Sequence, residues 1–289
     1  MSIDPVIWFF ALGVIAGLAK SDLRMPPAIY DLLSMLLLLT IGLKGGVELA
    51  KSPLAGLLPQ VLAVLAIGFL LPIVLFAAAN VTNRVSRADA ASLAAHYGSV
   101  SVATFAVGIA FLIDRNVTYD SQMPLFLVLL EVPAIIVGIL IAKRKSTETR
   151  WGKLLHEIIF GKSIVLLVGG LAIGWAAGPQ GVATFEPLFF DLFKGVLALF
   201  LLEMGLIAAS QTQALRQSGL FLIAFGLLAP VPMGIVGALV GWSIGLNLGG
   251  TTLLAVLAGS ASYIAAPAAM RVAVPEANPT LPLTASLGV

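Results

Sequence analysis

The chain has 289 residues, 60% of them hydrophobic and 10% charged, with 16 Lys and Arg against 14 Asp and Glu for a formal net charge of +2. A soluble domain carries about 25% charged residues, so this inventory excludes a solvated globular surface and defines a polytopic membrane protein. Cysteine is absent, which excludes disulfides, thiolate metal sites and Cys nucleophiles, and the two histidines, His96 and His156, are too few for a histidine metal site. No basic patch points to nucleic acid.

An apolar helix needs about 20 residues to cross a hydrocarbon core. Nine such stretches are predicted: Val6–Ala19, Ala28–Leu49, Leu54–Ala79, Ala90–Ile113, Met123–Ala142, Ser163–Ala177, Leu188–Ala208, Leu220–Leu246 and Thr251–Val274. Helices are the expected spanning form, because a bilayer interior offers the backbone no partner. The first stretch has no basic n-region and reads as a retained helix instead of a cleaved signal.

Basic residues set the expected orientation, since Lys and Arg mark cytoplasmic loops. Lys20, Arg24, Arg84, Arg87, Lys143, Arg144, Lys145, Arg150, Lys153, Lys162 and Arg216 follow segments one, three, five and seven. The N-terminus is therefore expected outside and the basic 143–162 linker in the cytoplasm. The run Lys143-Arg144-Lys145 reads as a topology anchor that also suits anionic lipid or a cytosolic partner. Phe9-Phe10 and Phe189-Phe190 are expected to face lipid or the interface.

An internal repeat recurs about 160 residues apart. Gly98-Ser99-Val100-Ser101 returns as Gly259-Ser260-Ala261-Ser262, Ile41-Gly42-Leu43 as Met204-Gly205-Leu206, and Leu71-Pro72 as Ala229-Pro230. A first unit of five segments, over 1–142, reverses the polarity of the second, over 163–289, and so predicts an inverted repeat. Segment five has no full counterpart: a tenth helix is expected to begin near Thr284 and to be missing beyond Val289, with a nine-helix protein as the alternative.

The paired Gly-Ser-x-Ser stretches are the leading site candidates. Small residues in mid-segment either pack helices closely or let them break. Recurrence, and the run Arg271-Val-Ala-Val-Pro275 after Pro267, favour breaks. Exposed helix N-termini bind a small anion without cationic side chains. The hydroxyls of Ser99, Ser101, Thr104, Ser260 and Ser262 add donors for the anion or oxygen ligands for sodium. Glu131, before Val132-Pro133, is an intramembrane carboxylate and hence a functional candidate for sodium or proton coupling, or a partner for a backbone donor near the Pro133 kink. Glu203, beside Gly205, is a weaker one. His96 reads as a packing histidine and Arg271 as a partner of Glu276 or a screen for a bound anion. No nucleophile and base pair, metal cluster or phosphate loop is present, so no enzymatic activity and no cofactor beyond sodium is expected.

At these residues the sequence resembles the sodium-dependent bicarbonate transporters of the cyanobacterial SbtA type. The resemblance is carried by Ile41-Gly42-Leu43-Lys44-Gly45-Gly46, Gly98-Ser99-Val100-Ser101 with Thr104, Val132-Pro133-Ala134, Ser260-Ala261-Ser262, Pro267, Arg271 and Ala277-Asn278-Pro279. It implies an all-α inverted repeat of ten helices with gate and core domains, a homotrimer in the plasma membrane, and bicarbonate moved with sodium near crossed broken helices. It places Ser99, Ser101, Thr104, Ser260, Ser262 and Asn278 where the family binds bicarbonate and sodium; Gly98, Gly259 and Tyr263 join Ser99, Ser101, Thr104, Ser260 and Ser262 as the substrate candidates, and Ser101, Thr104, Glu131, Ser262 and Asn278 are the candidates for coupling. The chain departs from the family where it has Ser101-Val102-Ala103-Thr104 and Ser260-Ala261-Ser262-Tyr263-Ile264-Ala265, losing three hydroxyls and, at Tyr263, a carboxylate. Fewer oxygen ligands weaken a hard-cation site. The short basic linker also differs from the longer acidic one of the family, which bears on control by a PII-like regulator. A proton-coupled or uncoupled carrier of another small carboxylate, and a ligand-binding membrane protein without transport, are the alternative readings.

Overall fold

The structure, a computed structural model, describes residues 5–51, 56–143, 151–212, 219–263, 265–279, 281, 282 and 285. Among them the chain is all helical. In chain order the helices are α1 (Pro5–Leu18), α2 (Pro27–Ala50), α3 (Leu57–Val81), α4 (Arg87–Gly98), α5 (Val102–Asp114), α6 (Met123–Ala142), α7 (Trp151–Ile159), α8 (Lys162–Val182), α9 (Phe193–Ser210), α10 (Gly219–Leu228), α11 (Pro230–Ser243), α12 (Leu248–Ala258) and α13 (Ala265–Ala273). Seven stretches are long and apolar enough to span a membrane, taking α4 with α5 and α10 with α11 as one each, and α1 and α12 are shorter apolar helices. The chain is thus a multi-pass membrane protein.

Local chemistry accounts for the helix starts. Proline opens α2 and α11, where its missing N–H removes a donor that would have no intrahelical partner. Ser86 accepts from the Asp89 N–H to cap α4, and Asn247 accepts from the Gly250 N–H to cap α12.

Two glycine seams organise the packing. α2 lies against α8 with Gly42 on Gly170 and Gly46 and Gly174 each facing a carbonyl of the other helix, of Leu171 and Leu43 respectively. α1 lies against α9 in the same manner, with Gly13 on Gly205 and Gly17 on Ala209. A Cβ at Gly42 would fall 2.6 Å from the Leu167 carbonyl oxygen, so the backbones approach only because it is absent. A second group is formed by α3, α4 and α6, and α11 packs on α12. Trp8, Leu12, Ile15, Leu62, Leu70, Leu239 and Trp242 are exposed, the apolar exterior a lipid-facing surface requires.

Polar ties close both ends of the bundle. At one, Arg87 donates to the Ile141 carbonyl and Lys162 pairs with Asp31. At the other, Gln122 donates to Gln60, Gln60 to the Ile244 carbonyl, and the Asn247 N–H to Asp120. Each tie joins segment ends that an alternating topology puts on one side.

The elements differ from expectation in four places. Segment six runs on to Val182, past a kink at Gly178, whose φ of 62° only glycine adopts readily. Segment seven starts at Phe193, because Ala183–Phe185 form a 3-10 turn and Pro187–Asp191 a short π-helix ahead of it. There Phe189 and Phe190 are half-buried against Leu43, Val47 and Val182. Segment eight bends at Ala229-Pro230, where Ala229 keeps helical angles of φ −62° and ψ −38°, whereas Pro72 sits inside an unbroken α3. The 143–162 linker, of which 144–150 lie outside the described residues, contains α7, whose Ile158 is buried in a cluster with Ile164, Ile135 and Met270. Residues 283, 284 and 286–289, where a tenth helix was expected to begin, also lie outside the description apart from Ala285.

Candidate functional site

Both Gly-Ser-x-Ser stretches interrupt their helices. α4 ends at Gly98, Ser99 is extended at φ −89° and ψ −178°, and Ser101, at φ −108° and ψ 118°, caps α5. In the second half α12 ends at Ala258 and α13 begins at Ala265. Each break is pressed against a proline. A Cβ on Gly98 would fall 2.8 Å from the Pro72 Cβ, and one on Gly259 would fall 2.9 Å from the Pro230 carbonyl oxygen.

The breaks meet and bond to each other. The Ser101 N–H donates to Ser260 Oγ at 3.0 Å, and the Ser262 N–H donates to the His96 carbonyl at 2.8 Å. Ser99, Ser101, Ser260 and Ser262 are 1%, 3%, 1% and 2% exposed, so bulk water does not compete for these bonds and each is worth more than it would be at a surface.

Most of the serine hydroxyls are already committed. Ser99 Oγ donates to the Glu131 carbonyl and Ser260 Oγ to the Leu257 carbonyl. Ser101 Oγ accepts from the Thr104 N–H, while Ser262 Oγ accepts from the Ala266 N–H. The serines thus shape the breaks, and the half-buried Thr104, Gly259 and Tyr263 are the more accessible members of the group.

The starts of α5 and α13 supply main-chain donors. The first bond closed within α5 is from the Phe105 N–H to the Ser101 carbonyl, so the N–H groups of Val102 and Ala103 precede the helical ladder. The helix ends give the pair of N-termini partial positive charge and the ends of α4 and α12 partial negative charge. An anion and a cation therefore have complementary partners in one place.

Other candidates are placed around this junction. Glu131 is 2% exposed and its Oε2 has no hydrogen-bond partner among the described residues; Glu203 Oε2 in α9 is buried in the same condition. His96 Nδ1 lies 2.7 Å from the Ser92 carbonyl and so carries a proton, leaving Nε2 as a buried lone pair without a partner. Asn278 is apart from the group: it is exposed and its N–H donates to Asp89, roughly 14 Å along α4 from Gly98. Sequence reasoning marked Pro72 and Pro230 only as repeat landmarks and did not assign them to the breaks; their recurrence in step with Gly98 and Gly259 was the available signal. Among the described residues no group of His, Asp and Glu is arranged to hold a metal ion.

A cavity of about 680 Å³ lies between α2, the end of α5 and the turn before α9, with Thr40 and Ile109 among its lining residues.

Membrane-length helices interrupted by paired, mutually bonded breaks define an α-helical membrane protein with discontinuous helices, a class in which the breaks hold substrate and coupling ion. The chain belongs to the Na+-dependent bicarbonate transporter superfamily, whose sequence profile matches residues 5–289. The resemblance read from the motifs therefore holds over nearly the whole chain. A search of curated proteins returns no match.

Proposed function

We propose that this chain is a secondary active transporter that moves bicarbonate together with sodium, by alternating access about the junction of the two helix breaks. The observation that carries the proposal is the bonded pair Ser101 and Ser260, which joins the N-terminus of α5 to the buried break between α12 and α13. Bicarbonate would be held by the main-chain N–H groups opening α5 and α13, with Gly98, Ser99, Ser101, Thr104, Gly259, Ser260, Ser262 and Tyr263 around it. Sodium would use freed carbonyls and the oxygens of Ser101, Thr104 and Ser262, with Glu131 in reserve for charge.

The reciprocal seams, α2 on α8 and α1 on α9, support an inverted repeat of units 1–142 and 163–289, since exchanging the halves exchanges one seam for the other. In this reading α1, α2, α8 and α9 form the gate and the remaining spans the core. The protein sits in the plasma membrane as a homotrimer, N-terminus outside, with the 143–162 linker and any contact with a PII-like regulator in the cytoplasm. Uptake of labelled bicarbonate into proteoliposomes tests the proposal: sodium accelerates it, and uptake indifferent to sodium overturns the coupling.

A second reading is favoured by the unpartnered Glu131 Oε2 and by the loss of the family carboxylate at Tyr263. Here Glu131 carries a proton in place of sodium. A pH dependence of uptake that vanishes in Glu131→Gln supports it, and an unchanged one excludes it.

A further inference from the structure

Under the orientation proposed above, the cytoplasmic end of the bundle is closed by an apolar cluster shared between two groups of helices. Ile135 and Ile139 of α6, Ile164 of α8, and Met270 and Ala273 of α13 meet there with Ile158 of α7, and each of the six is 6% exposed or less. In the division proposed above, α8 belongs to the gate and α6 and α13 to the core, so the cluster crosses the boundary between them. The outer end of that boundary holds the cavity between α2 and the end of α5. One boundary is thus packed on the inside and hollow on the outside.

The cluster is completed by an element too short to persist by itself. A helix of nine residues is marginal in water, so α7 depends on what it leans against. Among its described side chains, Leu155, His156 and Ile159 are exposed and Ile158 is the one turned inward. A tight turn fixes α7 to the gate. The Phe160 N–H donates to the His156 carbonyl and the Gly161 N–H to the Ile158 carbonyl, before Lys162 opens α8 and pairs with Asp31 of α2. On its other side α7 lies against α13. Its base is therefore carried by gate helices while its anchor sits among core helices.

We propose that α7 is a cytoplasmic latch, in which Ile158 is keyed into the cluster of α6 and α13 and holds the inner end of the boundary between gate and core shut until α7 withdraws. The latch rests on the transport reading for what it controls but not for its construction. Withdrawal exposes an isoleucine and the apolar walls it covers, at a cost proportional to the area uncovered, so the packed state is favoured whenever nothing draws α7 away. The latch also reaches the site. Met270 stands roughly 8 Å along α13 from Ala265, and the Ser262 hydroxyl that accepts from the Ala266 N–H holds the start of the same helix at the second break. A rigid shift of α13 with its break therefore drags the seat of Ile158 with it.

Because the chain has no cysteine, a single introduced thiol reads the latch without transport. Ala273→Cys places it in the cluster, and the full chain is labelled in sealed inside-out vesicles with a membrane-impermeant thiol reagent. Ile158→Ala raises the labelling rate roughly tenfold, the scale set by truncating a buried isoleucine, and Ile158→Leu, which keeps the volume, stays near the parental rate. A thiol from Ala110→Cys, buried in the main core, keeps its protection in both. An unchanged rate at position 273 in Ile158→Ala overturns the latch, and so does an equal rise at position 110, which means general loosening.

A second measurement locks the latch. Ile158→Cys combined with Met270→Cys is bridged by a short, reducible bifunctional thiol reagent; bridging stops bicarbonate uptake in proteoliposomes and a reductant restores it. Full uptake by the bridged protein overturns the proposal. If the unaltered protein takes up no bicarbonate while Ile158→Ala still raises the labelling at position 273 alone, the transport reading fails and the latch stands.

Discussion

Gly98 closes α4 directly on Pro72 of α3, with room between them for no more than a hydrogen. The residue that ends the helix is thus also the residue that lets the break sit on its neighbour, and Gly259 repeats the arrangement with Pro230. Gly98→Ala forces the break away from α3 and costs about 1–3 kcal/mol of stability. Thermal melting in nanodiscs reads the loss; full stability of the variant would contradict the contact.

Ser101 and Ser262 each cap the helix that follows a break. Replacing either with alanine removes a cap and leaves a donor without its partner, at about 1–2 kcal/mol. Bicarbonate binding weakens in both, but incompletely, because the main-chain donors survive. Ser260→Ala differs in kind. It leaves the buried Ser101 N–H without an acceptor, so its melting temperature falls as far as that of Ser101→Ala. Titrating bicarbonate against melting for the three variants separates the effects.

Glu131 carries a stability cost at the position that the proposal assigns to coupling. Its carboxyl is buried with one oxygen unpartnered, and a shape-matched apolar side chain removes that cost. Glu131→Met is expected to melt higher than the parent by an amount equivalent to about 1–3 kcal/mol while losing coupled uptake. A variant both less stable and fully active would show that the carboxylate is structural.

Asp120 lies outside the spans, between α5 and α6, where burial raises its pKa above 3.8 despite the N–H it accepts from Asn247. A carboxyl raised in the folded state holds its proton more tightly there than when unfolded. Its contribution to stability therefore falls as pH rises from 3.8 through the raised value, and is recovered on acidification. In Asp120→Asn, which keeps an acceptor for Asn247, that component disappears. The difference in melting temperature between variant and parent should then grow in favour of the variant from acid towards neutral pH.

Long apolar runs were legible from sequence because a helix in lipid needs little beyond length and hydropathy. Met123–Ala142 has the expected ends, and α1 and α2 are displaced by only a residue. Breaks were legible only where small polar residues coincide with the repeat. The dipeptides Leu71-Pro72 and Ala229-Pro230 match as sequence, yet one lies within a continuous helix and the other marks a bend in its segment, where a second proline, Pro232, removes a further main-chain donor. α7 was missed because a short amphipathic helix inside a basic linker lacks the length that marks a span; Ile158 finds its partners on α13 and at the start of α8. The serines of the site were found as candidates, but their roles were not, since the bond from Ser101 to Ser260 joins residues on opposite sides of the repeat. Likewise the cavity beside Lys44 exists only once three separate helix ends are brought together.

The ties across the junction have a mechanical meaning. With Ser101 fastened to Ser260 and Ser262 to the backbone at His96, the ends of α4, α5, α12 and α13 are clasped into a single hub. A displacement of about 1 Å at either break is enough to lose such a bond, so under the transport proposal a movement that keeps these bonds carries both breaks together and concentrates sliding on the boundary with α2 and α9. Cargo lodged at the hub would then be conveyed with its binding groups intact, and its hydration would change by relocation of the whole hub instead of by dismantling the groups that hold it.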